Sequence, residues 1–108
     1  MGPETTELVK VLEELIALLR SDNEAHWANW MEQAQSRIVA SDYSGIEKLL
    51  QAYGGMGSFN DLVLGYREES GTLARAKGQE EMNLKLNELR TKAWELAGEI
   101  RHQQRQGA

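Results

Sequence analysis

The chain has 108 residues, a formal net charge of −5 and no cysteine. A chain of this length forms one domain around one modest core, so we expect a single domain over residues 1–108. Without cysteine, disulfides, zinc–thiolate sites and thiol catalysis are excluded, and packing alone must stabilise the fold. The longest apolar run, residues 15–19, is too short to span a membrane. We therefore expect a cytoplasmic protein that does not bind a membrane.

The negative charge is distributed unevenly along the chain. Residues 1–53 carry nine acidic and four basic side chains, whereas residues 54–108 carry eight of each. Nucleic acid is disfavoured as a partner, because phosphate neutralisation needs a basic face. An acidic half-molecule attracts a basic protein and speeds its encounter. A solvated surface that keeps the protein soluble is the plainer explanation of the same charge.

Apolar residues at helical spacing predict two helices in the first half of the chain. The first should cover residues 6–19, with Thr5 or Thr6 as its N-cap, and the second should cover residues 24–39. Residues 21–23 separate the two helices. The predicted buried positions are Leu8, Leu12, Leu15, Ile16 and Leu19 in the first helix and Trp27, Trp30, Met31, Ala34 and Ile38 in the second.

A third helix should begin after Ser41 and Asp42, with apolar residues at Ile46, Leu49, Leu50 and Tyr53. Gly45 lies near its first turn and weakens the prediction of where the helix starts. Gly54 stands where a glycine commonly ends a helix.

The segment that follows contains three glycines in four positions, closed by Ser58 and Asp61 at capping spacing. We expect a sharp turn with positive φ at one of these glycines and Ser58 as the N-cap of a short helix within residues 59–64. A short strand is the alternative for those residues. An anion-binding nest is the alternative role for the glycines, although Asp61 places a carboxylate where the anion would sit. The residues of this predicted structural motif are Gly54, Gly55, Met56, Gly57, Ser58, Asn60 and Asp61.

The rest of the chain should contain a loop and a long helix. Residues 65–78 have no apolar period, which predicts a mobile loop. Residues 82–100 hold one apolar face over about five turns and predict the fourth helix. Residues 102–108 are polar and should fray, which leaves an ordered core over about residues 6–100.

Residues suited to catalysis are scarce. His26 and His102 are the two histidines, they lie far apart in the sequence, and no metal-binding spacing surrounds them. Ser58 lacks the glycine that follows a nucleophilic serine in an elbow motif. We therefore predict no catalytic residue, no metal and no cofactor. The candidate interaction residues are His26, Trp27, Trp30, Leu84 and Trp94, although Trp27 and Trp30 also fit a role in the core.

Residues 52–64, with the run Gly-Gly-Met-Gly-Ser-Phe-Asn-Asp-Leu, resemble the signature of a bacterial family of unknown function. Its members are small helical proteins with a Gly-Gly-Met-Gly-Ser-x-Asn-Asp-Leu segment. Residues 26–30 and 93–97 fit the same pattern, so the resemblance spans about residues 8–100. The resemblance implies a compact helical fold and a bacterial source, and it implies no catalytic residues.

Together these features predict an all-α fold, a small bundle of about four helices. A glycine-rich turn should precede a short segment and the long C-terminal helix. Two functions of different class follow. The first is a non-enzymatic acidic module that occludes a basic protein partner, as bacterial immunity and antitoxin proteins do. The second is a small ligand-binding or enzymatic domain with a pocket between the glycine turn, Asn60, Asp61 and residues 26–30. A homodimer through Leu84 and Trp94 is a further expectation.

Overall fold

The computed structural model describes residues 2–54, 57–69, 72–75 and 78–106. Within these ranges the chain forms four α-helices, one 3₁₀ helix and a two-stranded hairpin. The helices are α1 (Pro3–Ser21), α2 (Ala25–Val39), α3 (Ser44–Gln51) and α4 (Gln79–Gln106), the 3₁₀ helix is Phe59–Asp61, and the strands are β1 (Tyr66–Glu69) and β2 (Thr72–Arg75). The predicted all-α bundle is confirmed.

The core lies between α1 and the three other helices. The predicted stripe of α1 is buried along its whole length, from Leu8 at one end to Leu19 at the other. Helix α1 packs on both α2 and α4, and α3 packs on α2 and α4. The helices are therefore held by apolar side chains at the spacing that the sequence shows. The remaining buried apolar residues include Met31, Ala34, Ile38, Ile46, Leu49, Leu86, Leu89, Ala93 and Ala97.

Helix α1 begins three residues earlier than predicted, and its predicted cap is wrong. Pro3 occupies the first helical position, where its fixed φ favours the helix, and the N-cap is Gly2 without a side-chain cap. Thr6 lies inside the first turn and donates its hydroxyl to the Gly2 carbonyl at 3.1 Å. At the other end Asn23 has φ of 58°, which turns the chain towards α2.

Helices α2 and α3 approach each other closely at Gly45. A Cβ atom on this residue would lie 2.7 Å from the Ala34 carbonyl oxygen and 2.8 Å from Ile38 Cγ1. The glycine that weakens the predicted helix start therefore permits the contact between the two helices. Asp42 accepts the backbone N–H of Ser44 at 3.0 Å, and the hydrogen bonds from Ser44 lower the pKa of Asp42. The N-cap of α3 is Tyr43 without a side-chain cap, so this hydrogen bond from the residue before it supports the start of the helix.

One prediction for the second half of the chain is wrong. The segment predicted as a loop without regular structure contains β1 and β2, which pair antiparallel from Tyr66 with Arg75 to Glu69 with Thr72. The mobility of that segment stays a prediction, and residues 70–71 and 76–77 lie outside the described residues. Helix α4 continues through Gln106, beyond the predicted end of the apolar face, and the fraying of the polar tail stays a prediction.

Candidate functional site

The glycine segment makes a turn that its own side chains close. Gly57 has φ of 75°, which confirms the predicted positive φ, whereas Gly54 is not in that region and does not cap α3. Ser58 is the N-cap of the 3₁₀ helix, as predicted, and accepts the N–H of Asn60 at 3.3 Å. Asp61 Oδ2 accepts the N–H of Gly57 at 2.8 Å. Gly55 and Met56 of the predicted motif lie outside the described residues.

These contacts occupy polar groups that the predicted pocket would need. The Asp61 carboxylate binds the Gly57 amide, which is the position that an anion would take in a nest. Asn60 donates its side-chain N–H to the Tyr53 carbonyl at 3.0 Å and so ties the segment to the end of α3. Both side chains therefore stabilise the turn. A Cβ atom added to Gly57 would meet nothing within 4 Å, so the turn does not pack against Trp27 or Trp30 at this glycine.

Arg90 of α4 attaches the turn to the bundle. Its Nη1 donates to the carbonyls of Phe59 at 2.7 Å and Leu62 at 3.1 Å, and its Nη2 donates to Asn87 Oδ1. Burial lowers the pKa of Arg90, and the charges of Tyr53 and Asp61 oppose that shift. The guanidinium is thus used as a planar fork that satisfies the carbonyls of an otherwise irregular segment.

Asn83 has the same role about two turns earlier in α4. Its Oδ1 accepts the Leu64 N–H at 2.8 Å, and its Nδ2 donates to the Leu64 carbonyl at 2.9 Å. The next residue after Leu64, Gly65, has φ of 83° and donates its N–H to Asp22 Oδ2 at 3.1 Å. Residues 57–65 are therefore held mainly by side-chain to backbone hydrogen bonds, most of them from α4.

An unbroken row of five aromatic rings crosses the protein beneath this segment. Ring centroids are 4.7 Å apart for His26 and Trp27, 5.3 Å for Trp27 and Phe59, 5.6 Å for Phe59 and Tyr53, and 5.0 Å for Tyr53 and Trp94. Phe59 is fully buried at the centre of the row, whereas His26 and Trp94 are exposed at its two ends. The predicted interaction residues His26 and Trp94 thus lie on opposite sides of the turn.

The tryptophans of α2 have partners within the fold. Trp27 and Trp30 are partly buried and pack against the core. Trp30 donates its ring N–H to the Lys48 carbonyl at 2.9 Å, and the Lys48 ammonium lies 4.1 Å from the centre of the Trp30 ring. These contacts fit the core role that the sequence left open for both residues, and His26 covers one edge of Trp27.

A groove runs between the turn and α4. It consists of two adjoining depressions, each with a volume of about 420 Å³, that share Asn60, Asn87 and Arg90. The first is also lined by Tyr53, Thr91 and Trp94, and the second by Leu62, Val63, Gln79, Glu80, Asn83 and Leu84. We call these two depressions together the amide groove. It brings Leu84 and Trp94 to one surface but leaves His26 outside it.

The amide groove has exposed apolar side chains at both ends. Trp94 is 43% exposed, Leu84 is 71% exposed and Val63 is 52% exposed. Among the residues whose burial the structure describes, the only other large apolar side chain so exposed is Val39 on α2. Three of these four exposed apolar side chains therefore border the amide groove. Clusters of this kind typically mark interaction surfaces, whereas single exposed apolar residues do not.

Carboxylates of α1 and α4 lie close to Lys92 on α4. Lys92 lies 3.0 Å from Glu7, and this hydrogen bond, with the charges of Glu7, Glu14 and Glu88, raises the pKa of Lys92. One ammonium thus faces three carboxylates. On α4 itself four exposed glutamates lie on the side away from the core, and we call them the acidic ridge: Glu81, Glu88, Glu95 and Glu99.

Residues 20–70 match the family model of a domain of unknown function (DUF6966). No curated protein and no solved structure is significantly similar to the chain. The matched range contains the glycine segment, in agreement with the expected similarity to an uncharacterised family. It ends before α4, so the amide groove joins Tyr53, Asn60 and Leu62 inside the match to a helix outside it.

Two further properties concern the described residues as a whole. None of the helices among them is both long enough and apolar enough to cross a membrane. Among the same residues, no three His, Asp or Glu side chains are grouped so that they would hold a metal ion.

Sequence reasoning missed Arg90 and Asn83, although both belong to the site. Each lies on the flank of the apolar stripe of α4, where a polar residue looks like ordinary helix surface. Only contact with residues 57–65, which come much earlier in the chain, shows their role. One sequence signal was available: an irregular segment with buried Phe59 must find partners for its carbonyls, and arginine and asparagine are suited to supply them.

Proposed function

We propose that the protein is a non-enzymatic binding module whose acidic surface engages and occludes a basic protein partner, in the manner of bacterial immunity and antitoxin proteins. The observation that carries the proposal is the excess of acidic side chains on α1, which has four against two basic ones, next to α4, which has five of each sign. There Lys92 is shared by Glu7, Glu14 and Glu88, and the acidic ridge lies alongside. Complementary charge of this kind accelerates association and rejects acidic competitors.

The arrangement of the polar groups supports a binding surface better than a catalytic pocket. Asp61 and Asn60, the groups expected to act on a ligand, are engaged with the backbone of the turn. His26 lies at the far end of the aromatic row from the amide groove. A catalytic pocket that combines these three residues therefore has less support than a binding surface. A bacterial source and a cytoplasmic location belong to the same proposal.

The test is capture of a partner from an extract of the source organism on the immobilised protein, followed by elution with increasing salt. We expect a basic protein that is released by moderate salt, because exposed charges are screened over about 10 Å at 0.1 M ionic strength. The variant Glu88→Gln/Glu95→Gln should weaken binding of the purified partner and flatten its salt dependence.

The matched control is Glu24→Gln/Glu47→Gln, which changes the net charge equally but alters the N-cap of α2 and a residue of α3 instead of α4. It should leave the affinity and its salt dependence nearly unchanged. A partner that is acidic, or whose binding responds equally to the two double variants, would contradict the proposal, because net charge rather than the α1–α4 surface would then govern binding.

A further inference from the structure

The amide groove combines features that a long-range electrostatic surface does not need. It is concave, it has apolar side chains at both ends, and its shared middle is lined by the amides Asn60 and Asn87 together with Arg90. Electrostatic attraction alone would act through the acidic ridge without any groove. The presence of both on one side of α4 indicates that a partner is first attracted by charge and then held by a segment placed in the groove.

We propose that the amide groove binds an extended peptide segment of the partner, with two apolar side chains and flanking Lys or Arg residues. The inference rests on the proposed function, since the basic residues of the segment are those that the acidic ridge would meet. One apolar side chain enters the depression beside Trp94 and the other enters the depression beside Leu84.

The middle of the groove matches an extended backbone. Asn87 uses its Oδ1 to accept from Arg90, and within the described ranges its NH₂ group has no acceptor. Asn60 uses its NH₂ group on the Tyr53 carbonyl, and its Oδ1 has no donor in the same ranges. A donor on Asn87 and an acceptor on Asn60 therefore both line the middle of the groove and suit the C=O and N–H groups of one extended segment. A helix would not use them, because its backbone groups are already paired.

The length of the groove sets the spacing of the two apolar residues. Leu84 and Trp94 are ten residues apart on α4, which corresponds to about 15 Å along the helix axis. An extended peptide rises about 3.3 Å per residue, and alternate side chains share one face. Residues four positions apart lie about 13 Å from each other on the same face, so the anchors should be residues i and i+4.

Charge places the basic residues beside these anchors. Glu88 lies one helical turn after Leu84, and Glu95 lies one turn after Thr91, so each depression has a carboxylate of the acidic ridge at its outer border. Arg90 lines the shared middle of the groove and keeps its positive charge, because the Phe59 and Leu62 carbonyls that it binds are neutral, so the basic residues of the segment should lie at the outer border and not over the middle. The border therefore favours Lys or Arg on either side of an apolar residue.

The test is selection of displayed random peptides of about a dozen residues on the immobilised full-length chain, a length that exceeds the proposed i to i+4 spacing. Selected peptides should share two apolar residues four positions apart with Lys or Arg nearby. Binding of a synthetic labelled copy is then measured by fluorescence anisotropy. Trp94→Ala should weaken it about tenfold or more, and Leu84→Ser severalfold, since large buried anchors dominate interface affinity.

Val39→Ser is the matched control, because Val39 is exposed to a similar degree but lies on α2 away from the groove. It should leave peptide affinity unchanged.

Nuclear magnetic resonance distinguishes direct contact with the peptide from a purely structural role of the groove residues. The side-chain amide signals of Asn60 and Asn87 should shift when the peptide binds, while those of Asn29 on the far surface of α2 should not.

The outcomes separate this inference from the proposed function. Loss of partner binding in Glu88→Gln/Glu95→Gln but not in Trp94→Ala or Leu84→Ser would overturn the groove inference and leave the acidic function standing. Groove-dependent peptides without basic residues would contradict the acidic function and the flanking charges of the proposed segment, and would leave its two apolar anchors standing. No selected peptide, or a peptide that adopts a helix when bound, would overturn the inference. Sedimentation that shows a dimer abolished by Leu84→Ser would also overturn it, because a second copy would then occupy the groove.

Discussion

The helical bundle and the segment 57–65 are stabilised by different interactions. In the bundle, α1 buries an apolar stripe from Leu8 to Leu19 against its neighbours, and hydrogen bonds such as that from Gln35 to the Val9 carbonyl only supplement this packing. In the segment, single side chains of α4 hold the backbone: Arg90 binds the carbonyls of Phe59 and Leu62, and Asn83 binds both polar groups of Leu64.

The difference shows how the protein separates stability from recognition. Apolar packing needs only spacing and size, so it tolerates many sequences and gives a rigid support. Hydrogen bonds from Arg90 and Asn83 need particular atoms at particular places, and they leave Asn60 and Asn87 fixed at the surface between two depressions. The groove is therefore positioned by polar contacts and supported by the apolar bundle.

The largest effect should come from the bundle. Leu15→Ala removes a fully buried side chain at the centre of α1 and should lower the free energy of unfolding by about 2–5 kcal/mol. Urea unfolding followed by circular dichroism measures this loss. The control Leu84→Ala makes the same chemical change at a residue that is 71% exposed, and it should cost less than about 0.5 kcal/mol. Equal costs at the two positions would contradict the assignment of the core.

Arg90→Met should have the next largest effect, and its effect should be local. It leaves the carbonyls of Phe59 and Leu62 without their charged donor, which should cost about 2–3 kcal/mol. The Phe59 amide donates to the Ala52 carbonyl, and its exchange rate can be followed by hydrogen exchange. In the variant this amide should exchange faster than the loss of global stability alone would explain.

Arg90→Lys is the informative companion variant. The lysine ammonium is a point charge that cannot bind two carbonyls and Asn87 at once as the guanidinium does. The lysine variant should therefore recover less than half of the stability that Arg90→Met loses. Full recovery by lysine would mean that charge, and not geometry, attaches the turn to α4. Uniform acceleration of exchange over all helices would mean that the segment is no separate unit.

The same contrast explains what the sequence could and could not predict. The four helices and the buried stripe of α1 follow from apolar spacing, which is a local property. The turn at Gly57 and the cap at Ser58 also follow, because glycine and serine have local backbone preferences. The paired strands at residues 66–69 and 72–75 did not, since their pattern carries no apolar alternation. The groove did not either, because Tyr53, Asn60 and Arg90 meet only after folding.

The smallest effect should distinguish two glycines of the turn. Gly57 has φ of 75° and free space around its Cβ position, so Gly57→Ala changes only the conformational preference of the backbone. An L-residue in this region is disfavoured by about 1–2 kcal/mol, and the variant should be destabilised by that amount in urea unfolding.

Gly54→Ala provides the comparison, because Gly54 has no positive φ and its nearest contact at the Cβ position is the Gln51 carbonyl oxygen at 4.0 Å. Alanine there should be neutral or stabilising by up to about 1 kcal/mol, since it restricts the unfolded chain. If both variants were destabilised alike, both positions would need glycine because of its small size. The positive φ at Gly57 would then not explain the requirement. The pair therefore tests whether the turn depends on a single left-handed residue, with Asp61 closing it, or on the small size of the whole glycine run.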